Sequence, residues 1–160
     1  MVAADEILQQ EIWHILESVC DPEVPVLSVI DLGIVRDVKI DKGHVEVIIT
    51  PTYSGCPAMD MITMNVRMAL LEHGFTNVTI TPVLSPAWTT DWMSEAGKSK
   101  LVTYGIAAPN KNFSIPTDGV ECPLCHSHDT RLISEFGSTA CKALYQCQDC
   151  KEPFDYFKCH

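Results

Sequence analysis

Four cysteines near the C-terminus form two pairs of equal spacing, Cys122-Pro-Leu-Cys125 and Cys147-Gln-Asp-Cys150. Thiolates are soft ligands, and a two-residue gap lets both sulfurs of a pair reach one ion at about 2.3 Å while the turn amides point at them. Two such pairs predict a small metal-bound ribbon. Tetrahedral Zn2+ suits the set, and the ribbon-like spacing favours it. An iron–sulfur cluster also takes four cysteines, so that alternative stays open. Cys141 and Cys159 fall in the same segment. They read either as small buried hydrophobes or as additional metal ligands. His126 and His128 are remote substitutes for a cysteine ligand.

Cys56 is the second candidate, within Thr52-Tyr53-Ser54-Gly55-Cys56-Pro57. A proline at the first helical position makes Cys56 the N-cap, where unpaired amides and the positive end of the helix dipole favour a thiolate. The residue is then a reactive or metal-binding thiol, or a neutral cysteine that only begins the helix. Gly55 permits close backbone approach to a bound group, and Thr52 and Ser54 supply hydroxyls to it. Asp21 and Glu23, in Asp21-Pro22-Glu23-Val24-Pro25, are either hard ligands or orienters near Cys56, or caps of a proline-bounded turn. No Ser/His/Asp order, HExxH pair, EF-hand loop or glycine-rich phosphate loop is present, and no general base can be picked out beside Cys56. A self-contained catalytic centre is therefore not visible in the sequence.

The elements that must hold these residues follow from periodicity. Ile7, Leu8, Ile12, Ile15, Leu16 and Val19 recur at spacings of three and four, predicting an amphipathic helix over Glu6 to Val19 that the two prolines stop. Ile34 to Ile40 and His44 to Thr50 read as paired strands, with turn chemistry in Asp41-Lys42-Gly43. A helix is predicted from Pro57 to His73, ending at Gly74, then a strand over Val78 to Leu84. A last helix capped by Thr89 or Thr90 runs toward Tyr104 and Gly105. Trp88 and Trp92, four apart, share one of its faces, in the core or as an aromatic docking patch. The order predicts an α+β fold, a three-stranded sheet with covering helices, followed by the small C-terminal metal-binding ribbon. The expected boundaries are a domain at 1–106, a linker at 107–118 rich in Pro and Asn, and the cysteine-rich ribbon at 119–160.

Composition limits the function. The chain has 160 residues, 46% hydrophobic, and a net charge of -10. That charge opposes binding to a polyanion, and the ribbon segment shares the sign, with four Lys or Arg against six Asp or Glu from Gly119 onward. Nucleic acid is therefore not an expected partner, nor is a membrane, since no apolar run approaches spanning length. The N-terminus carries Asp5 and Glu6 and lacks a secretory pattern, so the expected location is cytoplasmic and the cysteines are thiols and metal ligands.

Several long segments carry a family likeness: Asp21-Pro22-Glu23-Val24-Pro25-Val26-Leu27, Asp31-Leu32-Gly33, Pro51 to Pro57, Ala87-Trp88-Thr89-Thr90-Asp91-Trp92-Met93, Leu132 to Tyr145 and Glu152 to Cys159. On them the chain resembles the D subunits of bacterial phenylacetyl-CoA epoxidase systems. Its first hundred residues are also similar to the iron–sulfur assembly factors that share the Asp-Pro-Glu turn and the cysteine after the second strand, here Asp21 to Glu23 and Cys56. The resemblance implies a role in phenylacetate catabolism, helping to install or repair the iron or iron–sulfur centre of the epoxidase, with transient iron or cluster at Cys56. It implies partners among the oxygenase or reductase subunits or the iron–sulfur assembly machinery. A non-catalytic structural adaptor of the oxygenase complex is the competing reading.

Overall fold

The computed structural model describes residues 2–110 and 119–158, and it divides the chain into two compact units, Met1–Trp88 and Thr89–His160. Residues 111–118 of the expected linker, and Cys159, lie outside the described residues.

The first unit opens with helix α1, Val2–Leu16. Ile12, Ile15 and Leu16 are buried whereas Ile7 and Leu8 are exposed, so the predicted apolar stripe is used only in its C-terminal half. The helix ends earlier than the stripe suggests, and Ser18 and Val19 close it with tighter bonds to Ile15 and Leu16. The proline-bounded turn is then built on Asp21, whose Oδ1 accepts the amides of Glu23 at 2.7 Å and Val24 at 2.9 Å. A second turn is closed reciprocally: the Ser28 amide donates to Asp31 Oδ2 at 3.2 Å, and the Asp31 amide donates to Ser28 Oγ at 3.0 Å.

Strands β1 (Val35–Asp41) and β2 (His44–Ile49) form an antiparallel hairpin whose two turn residues, Lys42 and Gly43, have φ of 49° and 79°. Two consecutive positive φ values make the tight turn whose twist matches that of the strands. Helix α2, Ala58–Glu72, returns the chain to β3, Val78–Pro82, which pairs parallel with β2, giving the order β1-β2-β3. Along α2 the residues Ala58, Ile62, Val66 and Leu70 are buried, and α2 packs on α1 and β3. Trp88 is buried in this unit and donates its indole N–H to the Leu32 carbonyl at 2.7 Å.

The second unit corrects the predicted last helix. A single turn of 3-10 helix, Thr90–Trp92, is capped by Thr89, and Met93 then turns extended at φ -68°, ψ 140°. Helix α3, Glu95–Tyr104, starts afresh with Ser94 as its cap, and Gly105 ends it at φ 93°. Trp88 therefore precedes the 3-10 turn, and it shares no helix with Trp92. Strands β4 (Ile106–Ala107), β5 (Thr130–Ser134), β6 (Lys142–Cys147) and β7 (Pro153–Phe157) form a sheet of order β4-β7-β6-β5, antiparallel except for β4. Ile106 and Ala107 pair with Asp155 and Tyr156, so the ribbon's sheet takes in residues upstream of 119. Its core contains Tyr145 stacked on Phe154 at 5.9 Å and edge-on to Tyr156 at 5.7 Å, beside Cys122 and Cys147.

Candidate metal centre

The sheet and the two Cys-x-x-Cys turns bring four sulfurs together. Cys122 precedes the first turn, Cys147 ends β6, and both are fully buried in the aromatic core. Their companions face outward, Cys150 half-buried and Cys125 exposed. The two turns are built alike. In each, the amide of the first cysteine donates to the carbonyl five residues on, Cys122 to Ser127 at 2.9 Å and Cys147 to Glu152 at 3.1 Å. The residue after the second cysteine is left-handed in each, His126 at φ 63° and Lys151 at φ 66°. That backbone turns the next amides back toward sulfur: Ser127 donates to Cys125 and Glu152 to Cys150. A further link joins the turns, since Ser127 Oγ donates to Asp149 Oδ2 and the Gln148 amide donates to the Asp129 carbonyl at 2.7 Å.

All four Sγ atoms lie within 4.8 Å of one another, with Cys122 to Cys150 at 3.8 Å and Cys125 to Cys147 at 3.5 Å. Four sulfurs bonded at about 2.3 Å around one tetrahedral ion are about 3.8 Å apart, so the set fits a single small ion. Electrostatics points the same way. Burial pushes the Cys147 thiol up, but the Cys150 and Asp149 amides and the neighbouring thiols outweigh it and hold it down to about 7. The Glu152 amide favours the Cys150 thiolate, yet burial and the other three thiols push Cys150 up to about 12. Cys147 ionises readily, while burial and the hydrogen bonds of neighbouring thiols push Cys125 and Cys150 up. A dication held by the four would favour all of them as thiolates.

Among the described residues this is the sole group of three or more His, Cys, Asp or Glu side chains placed to hold one metal ion. Cys141 is not in it. It is buried at the opposite end of β6, six residues from Cys147, or about 20 Å along an extended strand. There Thr139 Oγ1 lies 3.0 Å from its sulfur, and its carbonyl accepts the Lys158 amide at 2.9 Å. Of the two readings of Cys141, the geometry supports the packed hydrophobe. His126 is exposed, with Nδ1 2.8 Å from Glu121 Oε1, and His128 is exposed as well.

Cys56 sits half-exposed at the mouth of α2. The structure makes Pro57, not Cys56 as expected, the N-cap of α2, because Pro57 has angles of -68° and -21° and the helix opens only at Ala58. The Cys56 carbonyl accepts the Met59 amide at 3.2 Å, so the thiol stands one residue before the open end of a fifteen-residue helix. Gly55, at φ 77°, turns the loop into it, and the space where a Cβ would stand is open. Asp21 is committed to the Glu23 and Val24 amides and is buried, whereas Glu23 is half-buried. The left-handed His126 and Lys151 and the Ser127–Asp149 link escaped the sequence reading. The only sequence signal for the first two is their shared position directly after the second cysteine of each pair.

Residues 107–158 match the family described as the PaaD zinc beta ribbon domain, and residues 9–80 match the iron-sulfur cluster assembly protein family. The chain is 51% identical over 153 residues to the putative D subunit of the 1,2-phenylacetyl-CoA epoxidase of Escherichia coli, covering 93% of this chain and 92% of the relative. It is 40% identical over 101 residues to an Fe-S protein maturation auxiliary factor of Porphyromonas gingivalis, covering 61% of this chain and 95% of that protein. Among solved structures it is similar to a domain of unknown function, DUF59, from Bacillus anthracis, with a TM-score of 0.60 and 27% identity, covering 63% of this chain and 97% of that one.

Proposed function

This chain belongs to the family of phenylacetyl-CoA epoxidase D subunits, and on that premise we propose that it is an accessory maturation factor of that epoxidase complex in aerobic phenylacetate breakdown. It assists assembly or repair of the enzyme's iron or iron–sulfur centre and is not the oxygenase. The observation that carries the reading is the match of residues 9–80 to iron-sulfur cluster assembly proteins within a chain that follows an epoxidase component over nearly its whole length. Cys56 is the thiol that holds iron or cluster in transit, as cargo, half-exposed at the open end of α2. Asp21 shapes the turn, its Oδ1 accepting two amides. Asp21 and the half-buried Glu23 are the carboxylates offered as orienters of the cargo.

In the ribbon, Cys122, Cys125, Cys147 and Cys150 hold structural Zn2+. A multi-iron cluster seats its cysteines on different iron atoms and needs a wider set of sulfurs than one confined within 4.8 Å. Four thiolates close the coordination sphere, so this ion organises the fold and offers no open position for chemistry. The partners are the oxygenase or reductase subunits, or the iron–sulfur assembly machinery. No described helix is long and apolar enough to cross a membrane. A site built of reduced thiols suits the cytoplasm.

The test is Cys56→Ser in the full chain, co-expressed with the remaining epoxidase subunits. The variant is expected to keep its circular dichroism and its zinc, while the epoxidase matured with it loses iron and activity by about tenfold or more. Full iron loading by the variant, with the complex still co-purifying, would reject maturation in favour of the structural adaptor.

A further inference from the structure

Helix α2 is apolar on two sides. Its inner face is the buried row Ala58, Ile62, Val66 and Leu70. On the outer side Met61, Met64, Met68 and Leu71 are 51%, 61%, 51% and 38% exposed. Single exposed apolar residues are ordinary, but these four recur at spacings of three, four and three, and so form one continuous stripe about 15 Å long. That is the anchor spacing by which one helix seats against another. Three of the chain's six methionines lie in it, and an unbranched thioether adapts its shape to more than one partner.

Charge says what covers the stripe. Helices α1 and α2 together carry five carboxylates, Asp5, Glu6, Glu11, Asp60 and Glu72, against one guanidinium, that of Arg67, which donates to the Val78 carbonyl at 3.2 Å. A second copy would bring an equally acidic layer, and laid antiparallel it would set an aspartate level with a glutamate at each end of the stripe. A partner with basic flanks meets attraction on the same surface. We propose that the exposed methionine stripe of α2 docks an amphipathic helix of the client protein, one with an apolar stripe bordered by Lys and Arg. The proposal rests on the maturation reading for the identity of the client. Cys56 stands just before α2, five residues ahead of Met61, so a client held on the stripe lies near the thiol that would deliver its iron.

The experiment uses the full chain and the double variant Met64→Gln, Met68→Gln, which keeps charge and helix propensity. The probes are a labelled peptide of leucine heptads with lysines at the other positions and its glutamate counterpart, followed by fluorescence anisotropy. The lysine peptide is expected to bind the wild type at least about tenfold tighter than the glutamate peptide, and the double variant to lose at least about tenfold of that affinity. Unchanged binding by the folded double variant overturns the proposal, and so does preference for the glutamate peptide. A wild-type dimer that the double variant converts to monomer in sedimentation equilibrium also overturns it, in favour of a second copy as occupant. Iron loading of co-expressed epoxidase separates the two ideas. If docking is wrong, the double variant loads iron normally while Cys56→Ser does not; if maturation is wrong, Cys56→Ser loads iron normally while the double variant still loses the peptide.

Discussion

Replacing Cys122 by serine removes one of the four proposed zinc ligands from the ribbon and places a hydroxyl where a sulfur is fully buried among Ala107, Val120, Tyr145 and Phe154. A structural zinc site of this kind contributes about 10–16 kcal/mol to folding at neutral pH, so an equal share among four thiolates is about 2.5–4 kcal/mol for Cys122. At 1.4 kcal/mol per decade this weakens zinc binding by about a hundred- to a thousandfold. The buried hydroxyl costs about 1–3 kcal/mol more where it finds no partner, a penalty that remains when no metal is present. Cys125→Ser, at an exposed position, is expected to weaken zinc comparably without that second cost. Competition against a chromophoric chelator reads the affinities, and near-ultraviolet dichroism of the packed tyrosines reads the ribbon's unfolding with and without chelator. Cys141→Ser serves as the control, because its sulfur sits about 20 Å along β6 from Cys147, and it should bind one zinc as wild type does. The reasoning fails if Cys122→Ser binds zinc within about threefold of wild type, or if Cys141→Ser loses the metal as Cys122→Ser does.

Two further outcomes are expected. Gly119→Ala should destabilise the ribbon by at least about 1–3 kcal/mol, since φ is 90° there and a Cβ would lie 2.5 Å from the His128 carbonyl oxygen; an unchanged denaturant midpoint of the tyrosine signal contradicts this. Burial, and then the neighbouring Tyr156, push the Tyr145 phenol up to about 12 from its ordinary 10. The folded protein then holds a proton that the unfolded chain gives up above pH 10, so ribbon stability falls as pH rises from 10 towards 12. Ultraviolet difference titration of wild type against Tyr145→Phe measures it, and a Tyr145 phenolate signal appearing already near pH 10 would contradict the packing.

Much of the architecture was legible because periodicity and turn chemistry agreed. The Asp41-Lys42-Gly43 turn and the alternating residues around it fix the hairpin, and Gly74 and Gly105 end their helices with φ of 90° and 93°. The four-sulfur cluster was legible for a covalent reason, since each Cys-x-x-Cys turn fixes its own two sulfurs and only the meeting of the turns needs the fold. Length and register were less so. The stripe from Ile7 to Val19 has helical spacing throughout, but tertiary packing uses it only from Ile12 onward. The break at Met93 was hidden because Thr89 and Ser94 are both good caps five residues apart, and each closes its own turn. The aromatic core of the ribbon was missed for want of branched aliphatics. Tyr145, Phe154 and Tyr156 fill the space that Val or Leu would fill in a larger sheet.

The placement of Cys141 shows what spacing alone leaves undecided. Six cysteines in forty-two residues look like a surplus of ligands for one ion, and counting cannot say which two stand outside. Strand geometry decides it for Cys141: neighbours six apart on one extended strand are held too far apart to share an ion, whereas Cys147 and Cys150, three apart across a turn, converge. The same reasoning separates the two kinds of sulfur site. A permanent site needs ligands fixed from several directions by a sheet, as Cys122 and Cys147 are, and its closed sphere keeps the ion. On the proposed maturation role, a site that must release its cargo needs few fixed ligands and an open side, and Cys56 stands half-exposed at the mouth of α2. If both roles hold, permanent and transient sulfur belong in different places in the chain, a retaining site on the ribbon sheet and a releasing site at a helix end.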